Sequence, residues 1–312
     1  MNKFKRSWLL FKTSIAVIQQ NKRLLVFPIL TLGFTFLILL FFITPVVFQP
    51  TGYHVNQPEH WKAVGGMFFV EQTTATPGGG EASSTTVSLK PAGMVGAVLV
   101  YFVSMLLATF FNVAFYSEII GALKGQPVSI RRGLAFANTK WKPILMWTLF
   151  AGLIGLLIRQ IEERVGFLAR FIVSLIGTAW SVACIFVIPV LVCDEATVNP
   201  LQILKKSALT LKKTWGESLI GYAGIQFGGV LVMFASLLLL GGAVVISIMA
   251  HTFWIIAVAA VLWLFAIIAW SYVIGVASQV YRCALFLYAS EGLIAEPYNR
   301  ELLDMAWKTR KG

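Results

Sequence analysis

Charged residues are scarce in this chain. Aspartate, glutamate, lysine and arginine make up 12% of its 312 residues, whereas they make up about a quarter of an average globular protein. Apolar residues reach 58%, and the mean hydropathy is +0.81. This composition excludes a soluble globular protein of this length.

Charge is absent from six long stretches, and these predict the fold. A stretch of about 18 or more apolar residues is typical of a transmembrane helix. The stretches are 24–48, 91–117, 143–158, 171–192, 218–248 and 252–281. We predict an all-α polytopic integral membrane protein with six transmembrane helices, forming a single membrane domain over residues 1–312. Residues 49–90 would be an external loop and residues 282–312 a cytoplasmic tail, which puts Arg282 just beyond the last span.

The sequence also lacks the motifs of catalysis. None of GxSxG, HExxH, the P-loop and GxGxxG occurs, so we predict that the protein is not an enzyme and has no cofactor. Its three cysteines include no CxxC pair, which excludes a disulfide framework. His54 and His60 could bind a metal together with Glu59, but an incidental pair in a loop is the favoured interpretation. No metal site is predicted.

Ionisable side chains are missing from the predicted spans as well. Proton relays and ion-coupled transporters usually contain such groups at bilayer depth, so coupled ion transport is disfavoured. The amides within the spans are Asn112, Gln226 and Gln279. Amides of this kind more often join helices by hydrogen bonds than bind a substrate. They are nevertheless the candidates for a solute pathway.

Lysine and arginine are distributed unevenly about the spans. With the N-terminus in the cytoplasm, 20 of the 25 lie on the cytoplasmic side and 5 on the outside. The positive-inside rule then predicts that both termini are cytoplasmic. Such a basic surface favours anionic lipid over nucleic acid as a partner, because no nucleic-acid-binding motif accompanies it.

The polar segment 193–215, between two spans, has the pattern of an interfacial helix. Asn199 and Pro200 supply an N-cap and a first-turn proline. Apolar residues recur at spacings of three and four and define one face, and the lysines fall largely off it. The predicted apolar face comprises Leu201, Leu204, Ala208, Leu211 and Trp215. We expect this helix to lie flat in the headgroup layer, with Asp194 and Glu195 favouring its positive end.

The same pattern recurs in residues 118–141. Each segment has an acid, a proline, a basic pair and a tryptophan ten residues after the first member of that pair. The basic pairs are Arg131–Arg132 and Lys205–Lys206, and the tryptophans are Trp141 and Trp215. Residues 1–23 and the tail after Glu291 contain related patterns. We therefore predict repeated interfacial amphipathic helices on the cytoplasmic side.

These helices carry the predicted lipid-binding residues. A lysine or arginine near an anionic membrane surface contributes about 1 kcal/mol to binding, and tryptophan is enriched at membrane interfaces. The predicted set is Lys205, Lys206, Lys212, Lys213, Arg131, Arg132, Trp141 and Trp215. The competing interpretation is that the charges only establish the topology of the chain.

Two further features predict contacts. In the external loop, residues 65–70 and 85–89 could pair as a short hairpin across the PGGG run. In the fifth span, glycines that include Gly224 and Gly228 favour close helix packing. That packing face could serve the bundle itself, a homo-oligomer or a membrane-protein partner.

The run from Pro189 to Trp215 resembles a group of poorly characterised bacterial inner-membrane proteins. The group includes the YciC-like family and the membrane domain of some glycerophosphodiester phosphodiesterases. The matching residues are Pro189, Glu195, Pro200, Lys206, Ser207, Lys213 and Trp215. Residues 3–30 look like the opening of a family of bacterial six-span proteins known only as a domain of unknown function. The resemblance implies a six-span fold in the bacterial inner membrane and no phosphodiesterase activity, since no catalytic domain is attached.

We therefore expect a non-enzymatic bacterial inner-membrane protein that engages anionic phospholipid through a basic cytoplasmic collar, in lipid handling or membrane organisation. Two alternatives remain open. One is a transporter or channel for a small or amphipathic solute, and the other is an accessory scaffold subunit of a membrane complex. A lateral opening between spans would favour lipid handling, and a continuous wet cavity reaching mid-membrane would favour ion-coupled transport.

Overall fold

Long helices dominate the structure. The computed structural model describes residues 3–74, 84–194, 197–213, 233–234 and 236–298. A 3₁₀ turn, Lys22–Leu25, follows the first helix. The other elements are α1 Lys3–Gln20, α2 Val26–Val47, α3 Pro58–Phe68, β1 Phe69–Thr74, β2 Ser84–Leu89, α4 Pro91–Leu123, α5 Ile130–Thr139, α6 Trp141–Arg164, α7 Phe167–Ala183, α8 Val187–Cys193, α9 Pro200–Lys213, α10 Ser236–Met249 and α11 Phe253–Glu291.

Within the described residues, five helical segments are long and apolar enough to cross a membrane. They are Lys22–Val47, Gly93–Leu123, Trp141–Arg164, Phe167–Cys193 and Phe253–Glu291. The prediction of an all-α, multi-pass membrane protein is confirmed at this level. The predicted span 218–248 lies largely outside the described residues, and its described part contains the shorter apolar helix α10.

The last helix is longer than predicted. The apolar stretch ends at residue 281, but α11 continues to Glu291 and ends at Gly292, whose φ of +67° is a left-handed conformation that glycine adopts without strain. The cap N–H of Gly292 bonds the carbonyl of Tyr288. Arg282 therefore lies inside this helix, which continues ten residues past the predicted span.

The buried core lies at one end of the bundle. It is formed by the second half of α4 and the second half of α11, with α1, α5, α8 and α9 packed around them. Phe27, at the start of α2, is fully buried and stacks on Phe115 with ring centroids 5.4 Å apart. The first halves of α4 and α11 expose apolar side chains such as Val95 and Phe253. Exposed apolar surface on spans of this kind suits a lipid environment.

Helices α4 and α11 run side by side in the same direction. Arg282 Nη1 donates to Tyr116 Oη at 3.2 Å, and Lys124 Nζ lies 3.0 Å from Glu291 Oε2. These pairs are separated by 166 and 167 residues, so position n of α4 lies level with about position n + 167 of α11. This alignment fixes the relative height of every residue on the two helices.

The segment between α2 and α4 contains a hairpin. Strands β1 and β2 pair antiparallel, with Phe69 opposite Leu89 and Thr74 opposite Ser84. The predicted hairpin is therefore confirmed, but its first strand begins at Phe69, because residues 65–68 belong to helix α3. Helix α3 precedes them, and its His60 is 1% exposed. The ring nitrogens of His60 lie 2.6 Å from Thr51 Oγ1 and 2.8 Å from the carbonyl of Val47. His60 thus ties the segment to the end of α2.

Candidate functional site

A buried carboxylate lies where α4 meets α5. Glu118 is 1% exposed, and its oxygens accept hydrogen bonds from Arg132 Nε at 2.8 Å and Arg132 Nη2 at 2.7 Å. Glu118 Oε2 also accepts the backbone N–H of Ser129 at 2.7 Å. The hydrogen bond with Glu118 raises the pKa of Arg132. These partners are needed because an unpaired buried charge is strongly destabilising.

Close packing accompanies this ion pair. Ser129 is the N-cap of α5, and its hydroxyl accepts the N–H of Arg132 at 3.4 Å. A Cβ at Gly133 would lie 2.8 Å from the carbonyl oxygen of Ala114 and 2.9 Å from Glu118 Cγ. Helix α5 is therefore held on α4 by both an ion pair and a close backbone approach.

A second ion pair holds α9. Lys206 Nζ pairs with Asp194 Oδ2 and donates to Thr197 Oγ1 at 3.0 Å. Thr197 in turn donates to Asp194 Oδ2 at 2.7 Å, and Lys140 donates to the carbonyl of Asp194 at 2.8 Å. Asp194 thus fixes the Lys206 side chain, a role that the interpretation as a helix-end charge did not include.

Ser207 anchors the same helix to the bundle. It is fully buried, its hydroxyl donates to the carbonyl of Ala183 at 2.6 Å, and the hydroxyl oxygen accepts the N–H of Phe186 at 3.1 Å. These two backbone groups lie at the break between α7 and α8. The serine therefore satisfies backbone groups that the break in the helix leaves open.

Helices α5 and α9 agree in their pattern of buried residues as well as in sequence. In both, the second member of the basic pair bonds an acid that precedes it in the chain: Glu118, in the last turns of α4, and Asp194, directly after α8. The residue after it is buried, and so is the residue four positions further. The aligned positions are Arg132 with Lys206, Gly133 with Ser207, and Ala137 with Leu211. Helices α5 and α9 each have one face in the core, and their location in the headgroup layer is part of the proposal below.

The remaining cations face outward. Arg131, Lys205, Lys212 and Lys213 are exposed, and we call these four residues the collar cations. Trp141 is 53% exposed at the start of α6, with Lys142 Nζ 5.8 Å from its ring centroid. Of the other predicted lipid-binding residues, Arg132 and Lys206 are held by acids, and Trp215 lies outside the described residues.

The predicted apolar face of α9 is wrong at its first position. Leu201 is 60% exposed, whereas Ile203 is fully buried and Leu211 is 4% exposed. The face that is buried packs on protein, and so does a face of α1, where Ser14 is fully buried and bonds Tyr298 Oη at 2.7 Å. The buried face of α9 therefore agrees with the prediction at Leu211 but not at Leu201.

Two of the three predicted pathway residues, Asn112 and Gln279, lie at one level of the bundle. Asn112 and Gln279 differ by 167 positions, the offset at which α4 and α11 contact each other, so the two amides lie at the same height. Both are half-buried, and Gln279 Oε1 is buried with no hydrogen-bond partner among the described residues. Gln226, Gly224 and Gly228 lie outside the described residues.

A cavity of about 730 Å³ opens between α6, α7, α9 and α11. Its described lining residues are mainly apolar or small, and the charged ones are Arg282 and Glu162. They lie at opposite ends. Phe286, one turn after Arg282, packs on Phe186 with ring centroids 5.9 Å apart, so Arg282 is near the end of α7. Trp147 stacks on Trp180 near that same end, and Glu162 is about four turns further along α6. The volume is within the range of about 300–1,000 Å³ that is typical of ligand sites.

Sequence reasoning missed two of these residues. Glu118 was noted only as part of a repeat, although an acid fourteen residues before an arginine is the signal of the pair. Arg282 was placed at a span edge because hydropathy marks where charge begins, not where a helix ends. Its position beside a cavity depends on the packing of four separate helices, which spacing along the chain does not reveal.

Comparison with known proteins identifies a family but no characterised relative. No curated protein and no solved structure matches the chain. Nothing found supports the resemblance to the YciC-like family or to the membrane domain of glycerophosphodiester phosphodiesterases. A family model matches residues 91–295, which include the ion pairs and the described lining of the cavity. The chain belongs to DUF6159, a family of unknown function.

Proposed function

We propose that this protein is a non-enzymatic protein of the bacterial inner membrane that engages anionic phospholipid through the four collar cations, in lipid handling or membrane organisation. Six spans with both termini cytoplasmic, and α5 and α9 in the cytoplasmic headgroup layer, belong to the same proposal. The distribution of lysine and arginine, 20 against 5, supports this orientation.

The observation that carries the proposal is that the two members of each basic pair make different contacts. Both members are exposed, but Arg132 and Lys206 are each paired with an acid, whereas Arg131 and Lys205 form no ion pair with a described residue. If the pairs served only to add positive charge, the acids beside them would cancel part of it. Instead, the ion pairs hold the helices in place while the neighbouring cations stay available to a partner.

Anionic headgroups are the partner that fits these cations. Arginine and lysine both bind phosphate oxygens through charge-assisted hydrogen bonds. Trp141, exposed where α6 begins, is a residue type enriched at membrane interfaces. The exposed apolar surface of the neighbouring spans suits contact with lipid, which supports the proposal that headgroups lie beside the cations.

Neutralising the collar cations tests the proposal. In Arg131→Gln/Lys205→Gln/Lys212→Gln/Lys213→Gln, the phosphatidylglycerol that the delipidated protein retains at low but not at high salt should fall at least about tenfold, since each cation near the surface contributes about 1 kcal/mol. Native mass spectrometry after titration with that lipid measures the retention. The ion pairs of Arg132 and Lys206 remain, so the fold should be kept.

A matched control removes the same number of positive charges from the predicted external side. Lys62→Gln/Arg159→Gln/Arg164→Gln/Arg170→Gln replaces four exposed cations on the predicted external side and should leave retention unchanged. Equal retention by the collar variant and the wild type would reject the proposal and leave the charges a topology signal only. Equal losses in both variants would reject a specific role for the collar.

A further inference from the structure

We infer that the cavity between α6, α7, α9 and α11 is a binding site for a single anionic phospholipid, with its phosphate at Arg282 and an acyl chain along α7. This inference deepens the proposed function, because it adds a lipid held between helices to those attracted to the collar cations. The two sites differ in chemistry, so each can fail separately.

The position of Arg282 suits a phosphate. The 29 residues 253–281 that precede it in α11 carry no charge, and at about 1.5 Å per residue they extend about 44 Å. That length matches the bilayer with its headgroup regions, about 40–45 Å. Arg282 is therefore at headgroup level on the side of the collar, close to the level of the Glu118–Arg132 pair.

The guanidinium is held in place from outside the cavity. Arg282 Nη1 donates to Tyr116 Oη at 3.2 Å, and the side chain is half-buried. An arginine oriented in this way presents the fixed donor geometry that binds phosphate oxygens.

The wall formed by α7 suits an acyl chain. Ser174, Gly177, Thr178 and Ser181 line the cavity, and their small size leaves a groove on that helix. Two of the hydroxyls are used within the helix itself: Thr178 donates to the carbonyl of Ser174, and Ser181 to the carbonyl of Gly177, both at 2.9 Å. These hydroxyls already donate to backbone carbonyls, so the wall has little need of a polar solute.

The charges of the cavity set the direction of the lipid. Arg282 lines one end and Glu162 the other. A phosphate is attracted by the first and repelled by the second, so the headgroup binds at Arg282 and the chains extend toward the opposite face of the membrane. A neutral or zwitterionic lipid gains less from Arg282 and is the natural comparison.

Two variants address the headgroup and the chain separately. Arg282→Gln removes the charge, and Gly177→Leu fills the groove, where a Cβ would first meet Ile158 Cγ2 at 3.5 Å, an ordinary contact. Gly96→Leu is the control, since Gly96 also lies in a span and nothing is within 4 Å of its Cβ position. Arg164→Gln is the control for loss of charge.

Native mass spectrometry of the delipidated protein with added phosphatidylglycerol or phosphatidylcholine measures the site. The wild type should keep one phosphatidylglycerol per chain at about 1 M salt, where collar binding is screened, and retain phosphatidylcholine at least about tenfold less. Arg282→Gln and Gly177→Leu should each lose that lipid about tenfold, while both controls keep it. Size-exclusion profiles verify that each variant is folded.

The collar variant separates this inference from the proposed function. With all four collar cations replaced, the salt-resistant lipid should remain, which would hold even if the collar proposal failed. The inference is overturned if folded Gly177→Leu and Arg282→Gln retain as much phosphatidylglycerol at high salt as the wild type. It is also overturned if phosphatidylcholine is retained equally well.

Discussion

Arg132 bonds both carboxylate oxygens of Glu118, at 2.8 Å and 2.7 Å, although Glu118 is almost fully buried and the Arg132 side chain is 43% exposed. The pair therefore reaches from the core of the bundle to its surface. It fixes the helix on which Arg131 is exposed, and so links the stability of the fold to the presentation of the collar cations.

We expect substitutions of the neighbouring residues Arg131 and Arg132 to lower the free energy of unfolding by different amounts. Arg132→Ala leaves the buried carboxylate of Glu118 without its ionic partner, and we expect a loss of about 3–5 kcal/mol in the free energy of unfolding. Arg131→Ala removes an exposed cation and should change it by less than about 0.5 kcal/mol. Denaturant unfolding in detergent measures both, and similar losses in the two variants would contradict the assignment.

Substitution by alanine should lower the stability of the protein at Gly133 and raise it at Gly96. A Cβ at Gly133 would lie 2.8 Å from the carbonyl oxygen of Ala114, so Gly133→Ala should destabilise the protein by about 1–3 kcal/mol. Gly96 has open space around its Cβ position, and alanine there should stabilise the helix by up to about 1 kcal/mol. Melting temperatures test the pair, and a stabilised Gly133→Ala would refute the close contact between α5 and α4.

The buried tyrosine that follows α11 predicts a loss of stability in alkali. Burial raises the pKa of Tyr298, and its hydrogen bond with Ser14 opposes that shift. In the unfolded chain tyrosine ionises near pH 10, while folded Tyr298 stays protonated. Stability from this group is thus fully present below about pH 10 and declines as the pH rises above it. Tyr298→Phe should make the decline shallower, as thermal unfolding between pH 8 and about pH 11 would show; an unchanged decline would contradict it.

The orientation is tested by labelling from outside intact cells. In a background with alanine at the three native cysteines, Lys62→Cys should react with a membrane-impermeant maleimide. Arg131→Cys should react only after the membrane is opened. Both positions are exposed, so accessibility of the side chain does not limit the reaction. Labelling of Arg131→Cys in intact cells would overturn the proposed topology.

Hydropathy predicted much of the fold because it measures the property that places helices in lipid. Five helices correspond to predicted spans, and the hairpin between residues 69 and 89 followed from its β-forming runs and intervening glycines. The end of α11 was missed because its final ten residues are held by neighbouring helices and stop only at Gly292. The apolar composition of a stretch does not reveal that packing.

The candidate site was predicted by residue type and not by role. The basic pairs identified α5 and α9, but they did not distinguish Arg132 and Lys206, which bond acids, from Arg131 and Lys205, which form no ion pair with a described residue. That difference depends on which side of each helix faces α4 or the residues after α8. On α9 the same ambiguity put Leu201 in place of Ile203 on the buried face, since spacings of three and four fit two adjacent stripes of one helix.

The most direct test of the central claim is the dissociation constant of phosphatidylglycerol at low and high salt. It is measured on the wild type and on the variant in which all four collar cations are replaced by glutamine. Lowering the Debye length from about 10 Å to about 3 Å, between about 0.1 M and 1 M salt, should weaken wild-type binding at least about tenfold. Apart from the one salt-resistant lipid inferred at Arg282, the variant should bind phosphatidylglycerol weakly at low salt, and this binding should change little as salt is added, because the screened attraction is already gone. Equal affinities at low salt and equal salt dependence in the two proteins would contradict a lipid-binding role for the collar cations.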